Sequence, residues 1–224
     1  MDETMIMMAR YSPSPVRVDG ILDDPVWEEA VPYPLSPARD FLARGGVLQE
    51  PGKVRLAWDN THLYLGVRFT DSDVVARGER DQMHHYRLGD VVELFLKPEG
   101  APWYWEQYAT PAGRKSSFFL PERRKLTDRG CGLRVATRVN GTLNAPGSRD
   151  QGWTAEMAVP LADLAAPGQP FGPGARWRIL VARYNHGRDF PQPELSSAPQ
   201  LSRTDFHLLE EYGILELSAP SVSP

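Results

Sequence analysis

A carboxylate stands in the middle of one of the most apolar segments of this sequence. Glu93 lies between Val92 and Leu94 in the stretch 90–97, whose other central positions are apolar. A charged group costs free energy when it leaves water, so a residue of this kind persists only if it is bonded. Two interpretations are open: a group that binds a ligand, which we favour, or a structural ion pair with an arginine.

A second carboxylate is predicted to lie beside Glu93 on a neighbouring strand. The segment 98–102 is short and predicts an antiparallel hairpin, in which Glu93 faces Glu106 or Gln107. Trp105 lies one position away. Like charges about 5 Å apart destabilise a sheet, so the pair needs a cation, a shared proton or a ligand. An open pair in a cleft would instead suit a glycosidase, whose two carboxylates flank the scissile bond. We expect the compensated pair, because no other catalytic feature accompanies it.

Arg183 carries a second functional group that suits ligand binding. Its guanidinium fork can bond paired hydroxyl groups or a carboxylate, and it lies late in the predicted strand 177–184. The alternative is an ion pair with Glu93 or Glu156. Glu156 also lies in the middle of a predicted strand, and we interpret it as structural.

Metal and haem chemistry have weaker support. Hard oxygen ligands cluster at Asp71, Asp73 and Asp90, with Asp81 nearby, and could hold calcium. A solvated acidic loop is the favoured alternative. The five histidines show no metal-ligand spacing. A haem site needs an axial pair, for which Met83 with a distant histidine is the only suggestive set.

Short stretches of alternating apolar and polar residues run through the whole chain, separated by glycine and proline. This alternation predicts β-strands, and the stretches 54–58 and 63–69 predict a hairpin. The further predicted strands are 90–97, 103–110, 116–120, 133–139, 153–159, 177–184 and 212–217.

Helix signals are few. Asp24 as a cap and Pro25 in the first turn predict a short helix over 24–30, and 161–165 predicts a single turn. Many strands with few helices predict an all-β fold, an antiparallel two-sheet β-sandwich of immunoglobulin-like or jelly-roll-like kind. The side chains predicted to point inward are Trp58, Phe69, Leu94 and Val159.

The composition and net charge of the chain exclude some classes of partner and leave the cellular compartment open. The 224 residues are 41% hydrophobic and 24% charged, which indicates one folded domain, 1–224, with its core over about 16–217. The net charge is −4 and no basic patch stands out, so nucleic acid is not an expected partner. No apolar run approaches the ~20 residues of a membrane helix. One cysteine excludes an intrachain disulfide and leaves the compartment open: extracellular or periplasmic if a signal was removed, otherwise cytoplasmic.

Several segments, in order, resemble one family. They are 18–27 (VDGILDDPVW), the hairpin 54–67, the strand 90–96 (DVVELFL), 152–160 (GWTAEMAVP) and the closing 206–213. Together these segments resemble the family 9 carbohydrate-binding modules, part of the wider DOMON-like group of sandwiches. The resemblance implies an antiparallel sandwich that binds a mono- or oligosaccharide at its loop end, without cleaving it, commonly beside structural calcium ions. It also implies that the domain could be associated with a glycoside hydrolase. The wider DOMON-like group includes haem-binding members.

The resemblance also implies which residues bind the sugar. Tyr86 and Phe206 match two aromatic residues that clamp the ligand, and Glu93 matches a carboxylate that accepts bonds from sugar hydroxyls. Arg183 matches a polar contact, and an acidic sugar would suit its fork. The family's arginine near Tyr108 is missing here, and Arg183 or Arg80 could replace it. We add as further candidates Trp105 and His207.

Overall fold

The structure, a computed structural model, describes residues 4–127 and 129–220. Short β-strands joined by loops make up the fold of these residues, with three one-turn α-helices. The strands are β1 Ile6–Tyr11, β2 Tyr33–Pro34, β3 Gly52–Trp58, β4 His62–Phe69, β5 Val91–Pro98, β6 Tyr104–Ala109, β7 Lys115–Glu122, β8 Lys125–Thr127, β9 Arg134–Asn140, β10 Gly152–Pro160, β11 Trp177–Asn185, β12 Glu194–Ala198 and β13 Gly213–Leu217. The helices are α1 Pro25–Glu29, α2 Arg39–Ala43 and α3 Leu161–Ala165.

The strands form two sheets that share β1. The first sheet has the order β8-β7-β6-β5-β11-β13-β1, with β12 paired to β11, and the second has the order β1-β3-β4-β10-β9, with β2 paired to β3. β1 runs parallel to both β13 and β3, whereas the other pairs are antiparallel. The predicted antiparallel sandwich is therefore confirmed, and the strand that joins its two sheets is the exception.

The core fills the space between the sheets. Trp58, Phe69, Leu94 and Val159 all lie in it, as the alternation predicted. Complete burial of one such side chain stabilises the fold by roughly 1.5–3 kcal/mol. The predicted hairpin 54–69 is the pair β3–β4, and α3 spans the residues predicted for it.

The N-terminal segment covers part of the outer face of the second sheet. Trp27 of α1 packs there with neighbouring apolar side chains. The Glu156 carboxylate accepts hydrogen bonds from Trp27 Nε1 at 2.7 Å and from the amides of Asp19 and Gly20 at 2.9 and 2.7 Å. The structural interpretation of Glu156 agrees with these contacts. Asp24 precedes α1, but its side chain accepts a bond from the Arg17 amide and does not cap the helix.

The outer face of the first sheet is covered at its margin by the segment 201–212. Leu201, Phe206 and Leu208 of this segment pack against outward side chains of the sheet such as Phe95. A second apolar cluster therefore lies outside the sandwich core, and an open cavity adjoins it. No helix in the described part of the chain is long and apolar enough to cross a membrane.

Candidate ligand-binding site

A cavity of about 540 Å³ lies on the outer face of the first sheet. Strands β5, β6, β7, β8, β11 and β12 contribute to its walls, together with Arg124 between β7 and β8 and the segments around 84–87 and 204–207. We call it the outer cavity. The residues that carry its chemistry are His84, Tyr86, Arg87, Glu93, Glu106, Tyr108, Arg124, Tyr184, Phe206 and His207.

Strand register brings the two carboxylates to one face. Glu93 lies opposite Tyr108, and Glu106 lies opposite Phe95. The predicted direct pairing of Glu93 with Glu106 or Gln107 is therefore wrong by one or two positions. A shift of two residues keeps a side chain on the same face of a sheet, so both carboxylates still point into the cavity as diagonal neighbours.

Burial keeps both carboxyl groups from ionising easily. Glu93 is 2% exposed, and its Oε1 atom has no hydrogen-bond partner within the described residues. The pKa of Glu93 lies well above its usual value because of burial and, secondarily, because of the negative charge of Glu106. Burial also raises the pKa of Glu106 to about 7. The Tyr108 hydroxyl donates to Glu106 Oε2 at 3.0 Å and opposes this rise.

Bound protons therefore offset part of the repulsion between the two carboxyl groups near neutral pH. His207 lies beside the pair, with Nδ1 3.5 Å from Glu106 Oε1. Burial, followed by the charge of Arg124, lowers the pKa of His207 to about 4, so its ring is neutral at pH 7. Its Nδ1 is 2.8 Å from the hydroxyl of Tyr104.

Aromatic rings line the wall next to the carboxyl groups. The Tyr184 ring lies 5.3 Å from Tyr86 and 5.4 Å from Phe206, centroid to centroid. Tyr184 thus separates the two rings that the resemblance assigned to a clamp. Sequence reasoning missed Tyr184, although strict alternation along β11 places it on the face of Glu93. Phe206 is almost completely buried, whereas Tyr86 keeps part of its ring exposed.

Two arginines supply donors at the rim. Arg124 Nη2 bonds Asp205 Oδ1 at 2.9 Å, and Arg87 lies over the Tyr86 ring at 5.3 Å from its centroid. Arg80, predicted as a possible donor, is not among the residues that line the cavity. Aromatic faces, carboxyl groups and guanidinium groups in one cavity provide both apolar contact and paired hydrogen bonds.

Two predicted ligand residues lie elsewhere. Arg183 pairs with Val92, so it points to the opposite side of the sheet from Glu93 and is completely buried between the sheets. There it bonds Asp71 at 3.1 Å and the backbone oxygens of Glu50 and Thr70. The prediction that Arg183 lines the cavity, or pairs with Glu93 or with Glu156, is wrong.

Trp105 is the second of these residues. It is completely buried and belongs to the core between the sheets. Its neighbour Glu106 takes the outward direction, and side chains alternate along a strand, so Trp105 must point inward. The placement of Trp105 at the ligand site is therefore wrong.

The three aspartates proposed as calcium ligands are already engaged by the fold. Asp71 is paired with Arg183, and Asp73 with Arg188 at 2.6 Å. Asp90 accepts hydrogen bonds from the backbone amides of Val75 and His186, both at 2.6 Å. No group of three or more His, Cys, Asp or Glu residues suited to a metal ion occurs in residues 4–127 and 129–220. Asp71, Asp73 and Asp90 as arranged here do not fit a calcium site.

Comparison with known proteins gives a likeness in structure only. No family model matches the chain, and a comparison with curated proteins finds no relative. A protein from Bacteroides uniformis to which carbohydrate binding is ascribed superposes with a TM-score of 0.73 at 16% identity, covering 96% of this chain and 100% of that one.

Two further structures are of a family 9 carbohydrate-binding module from Caldicellulosiruptor kristjanssonii. Its complex with glucose gives a TM-score of 0.68 at 15% identity, with 98% of this chain and 99% of that one covered. Its complex with cellotriose gives 0.62 at 15% identity, with 98% of each chain covered. The resemblance found in the sequence is thus confirmed in structure: this chain has the fold of the family 9 carbohydrate-binding modules.

Proposed function

We propose that this chain binds a mono- or oligosaccharide in the outer cavity without cleaving it. The observation that carries the proposal is that two carboxyl oxygens, Oε1 of Glu93 and Oε1 of Glu106, have no hydrogen-bond partner within the described residues and lie beside aromatic rings in one open cavity. Buried polar atoms normally have partners, so two orphan atoms on one cavity wall indicate a ligand that supplies hydrogen bonds.

A sugar suits each part of this site. Its hydroxyl groups can both donate to and accept from the carboxyl groups of Glu93 and Glu106. Its C–H faces can pack on the exposed part of the Tyr86 ring, and its oxygens can accept from the guanidinium groups of Arg87 and Arg124. The sugars held by the solved family 9 module, glucose and cellotriose, are the first probes to use.

The electrostatics argue against hydrolysis. A glycosidase needs one protonated carboxyl group and one ionised carboxylate on either side of the bond. Both pKa values are raised, that of Glu106 to about 7, so neither carboxyl group is held in the ionised form at neutral pH. A module of this kind would serve a glycoside hydrolase by holding its substrate, as the resemblance implies.

Calorimetric titration with glucose and cellotriose, preceded by a glycan array, tests the proposal. We expect saturable binding by the wild type and at least tenfold weaker binding by Glu93→Gln, because the amide nitrogen only donates, whereas the carboxyl oxygen it replaces can also accept. Glu79→Gln is the matched control, because Glu79 is exposed and outside the cavity. Turnover of aryl glycosides by the wild type that vanishes in Glu93→Gln would contradict the proposal, as would the absence of binding to any glycan.

A further inference from the structure

A second cleft, of about 780 Å³, lies on the outer face of the second sheet, on the other side of the sandwich from the outer cavity. The N-terminal segment covers the neighbouring part of that face and borders the cleft at Gly20 and Ile21. Of the residues that the structure describes, four basic side chains and no carboxylate line the cleft. We call it the cationic cleft, and its basic residues are Lys53, Arg55, Arg68 and Arg138.

Strand register places three of these cations in one row across the sheet. Lys53 lies directly opposite Arg68, Arg68 opposite Thr154, and Thr154 opposite Arg138. Neighbouring strands are about 4.8 Å apart, and like charges directly opposite each other destabilise a sheet. Arg55 lies two residues along β3 from Lys53 and points to the same face.

The charges of this row are not neutralised within the described residues. None of the four basic side chains forms an ion pair there, although eleven other arginines among the described residues do. Arg138 Nε donates only to the backbone oxygen of Asp19, at 3.1 Å. The Nε atom of Arg55 is buried and has no hydrogen-bond partner in residues 4–127 and 129–220. A row of mutually repelling cations with unused donors indicates an anionic partner.

We propose that the cationic cleft binds an acidic polysaccharide through its carboxylate groups. A guanidinium fork matches a carboxylate in a bidentate way, and the cleft offers three such forks beside one lysine. The hydroxyl of Thr70 and the side-chain amides of Asn140 and Gln151 also line it and can bond the hydroxyl groups of a sugar chain. A polyuronate is a polysaccharide that carries both carboxylates and hydroxyl groups, so it is the ligand that we expect.

The cleft does not suit single-stranded nucleic acid. Bases need exposed aromatic faces on which to stack. The two aromatic residues of the cleft, Phe69 and Trp153, are each only 2% exposed and pack against each other in the core. The cleft therefore provides charge and hydrogen bonds without a stacking surface.

Affinity electrophoresis through gels that contain polygalacturonic acid tests the proposal. We expect the wild type to be retarded at low salt, and the affinity to fall as salt rises, because ion pairs are screened. The double variant Lys53→Gln/Arg68→Gln should bind at least tenfold more weakly. The control Arg44→Gln/Arg176→Gln removes the same charge from exposed residues outside the cleft and should bind like the wild type. Fully methyl-esterified polygalacturonate, which has no carboxylate charge, should retard neither the wild type nor the variants.

Two further outcomes separate this site from the outer cavity. Because the sites lie on opposite faces, Glu93→Gln should leave polygalacturonate binding unchanged while it weakens binding of neutral sugars. Loss of polygalacturonate binding in Glu93→Gln, or equal loss in both double variants, would overturn the proposal. So would tighter binding to oligo(dT) or to anionic lipid vesicles than to polygalacturonate. The melting temperature of Lys53→Gln/Arg68→Gln should not fall, since the substitution removes a repulsive pair.

Discussion

The carboxyl group of Glu106 should make the fold less stable as pH rises, and Glu106→Gln isolates this effect. The pKa of Glu106 is about 7 in the folded protein, against 4.5 for an unperturbed glutamate. Between these two values the folded state holds a proton that the unfolded state has released. The free energy of unfolding therefore falls as pH rises from 4.5 to 7 and is constant above that window.

The expected magnitude follows from the size of the shift. One pKa unit corresponds to 1.36 kcal/mol, so the change from 4.5 to about 7 lowers the free energy of unfolding by about 3 kcal/mol at pH 8. His207 acts in the opposite direction. Its pKa is lowered to about 4, so it adds stability as pH rises from about 4 to its unfolded value near 6.5. The two residues nearly cancel in the wild type, and only the variant shows the contribution of Glu106.

Urea denaturation at pH 5, 6, 7 and 8 measures this difference. Relative to the wild type, Glu106→Gln should gain stability progressively from pH 5 to 7, reach a gain of about 3 kcal/mol, and remain there at pH 8. Its amide oxygen can still accept the Tyr108 hydroxyl bond, so little else is lost. Glu79→Gln, at an exposed position, should show no such trend. A difference between Glu106→Gln and the wild type that does not change with pH would show that the pKa of Glu106 is not raised in the folded protein.

Two other substitutions test the interior contacts. Arg183→Met leaves the buried carboxylate of Asp71 without its partner, and should lower the free energy of unfolding by about 3–5 kcal/mol in urea denaturation; a loss below about 1 kcal/mol would show that the pair is not needed. Trp27→Phe removes the indole donor to Glu156 and should cost about 1–3 kcal/mol. A Trp27→Phe variant as stable as the wild type would mean that the two backbone amides satisfy Glu156 alone.

Alternation along the strands made most of the fold predictable. The pattern of Leu94 and Trp58 assigns them to the core without knowledge of which strands pair. It also fixes the face of each side chain, so Glu93 and Glu106 could be placed on one face even though the register was two residues off. Alternation does not predict which residue pairs with a charged side chain that points into the core.

Arg183 shows this limit. Its type and position suited a ligand contact. However, Arg183 pairs with Val92 and not with Glu93, so its side chain points inward, where it forms an ion pair with Asp71. Tyr184, the next residue of β11, therefore points outward into the cavity. Pairing of Arg183 with Val92 rather than with Glu93 depends on the strand order of the whole sheet, which no local pattern encodes.

The cationic cleft could not be predicted from the sequence either. Lys53, Arg68 and Arg138 are far apart along the chain and no segment that contains them is strongly basic. They meet only because β3, β4, β10 and β9 are neighbours in this order. A basic surface of this kind arises from sheet topology, so the absence of a basic run did not exclude it.

A crystal structure with bound sugar, grown with whichever neutral glycan binds best, tests the proposed binding site most directly. We expect a sugar in the outer cavity, with hydroxyl oxygens within about 3 Å of Oε1 of Glu93 and Oε1 of Glu106 and its ring near Tyr86. Neutral sugar found only at another surface, with both carboxyl groups still unpartnered, would contradict the proposed site.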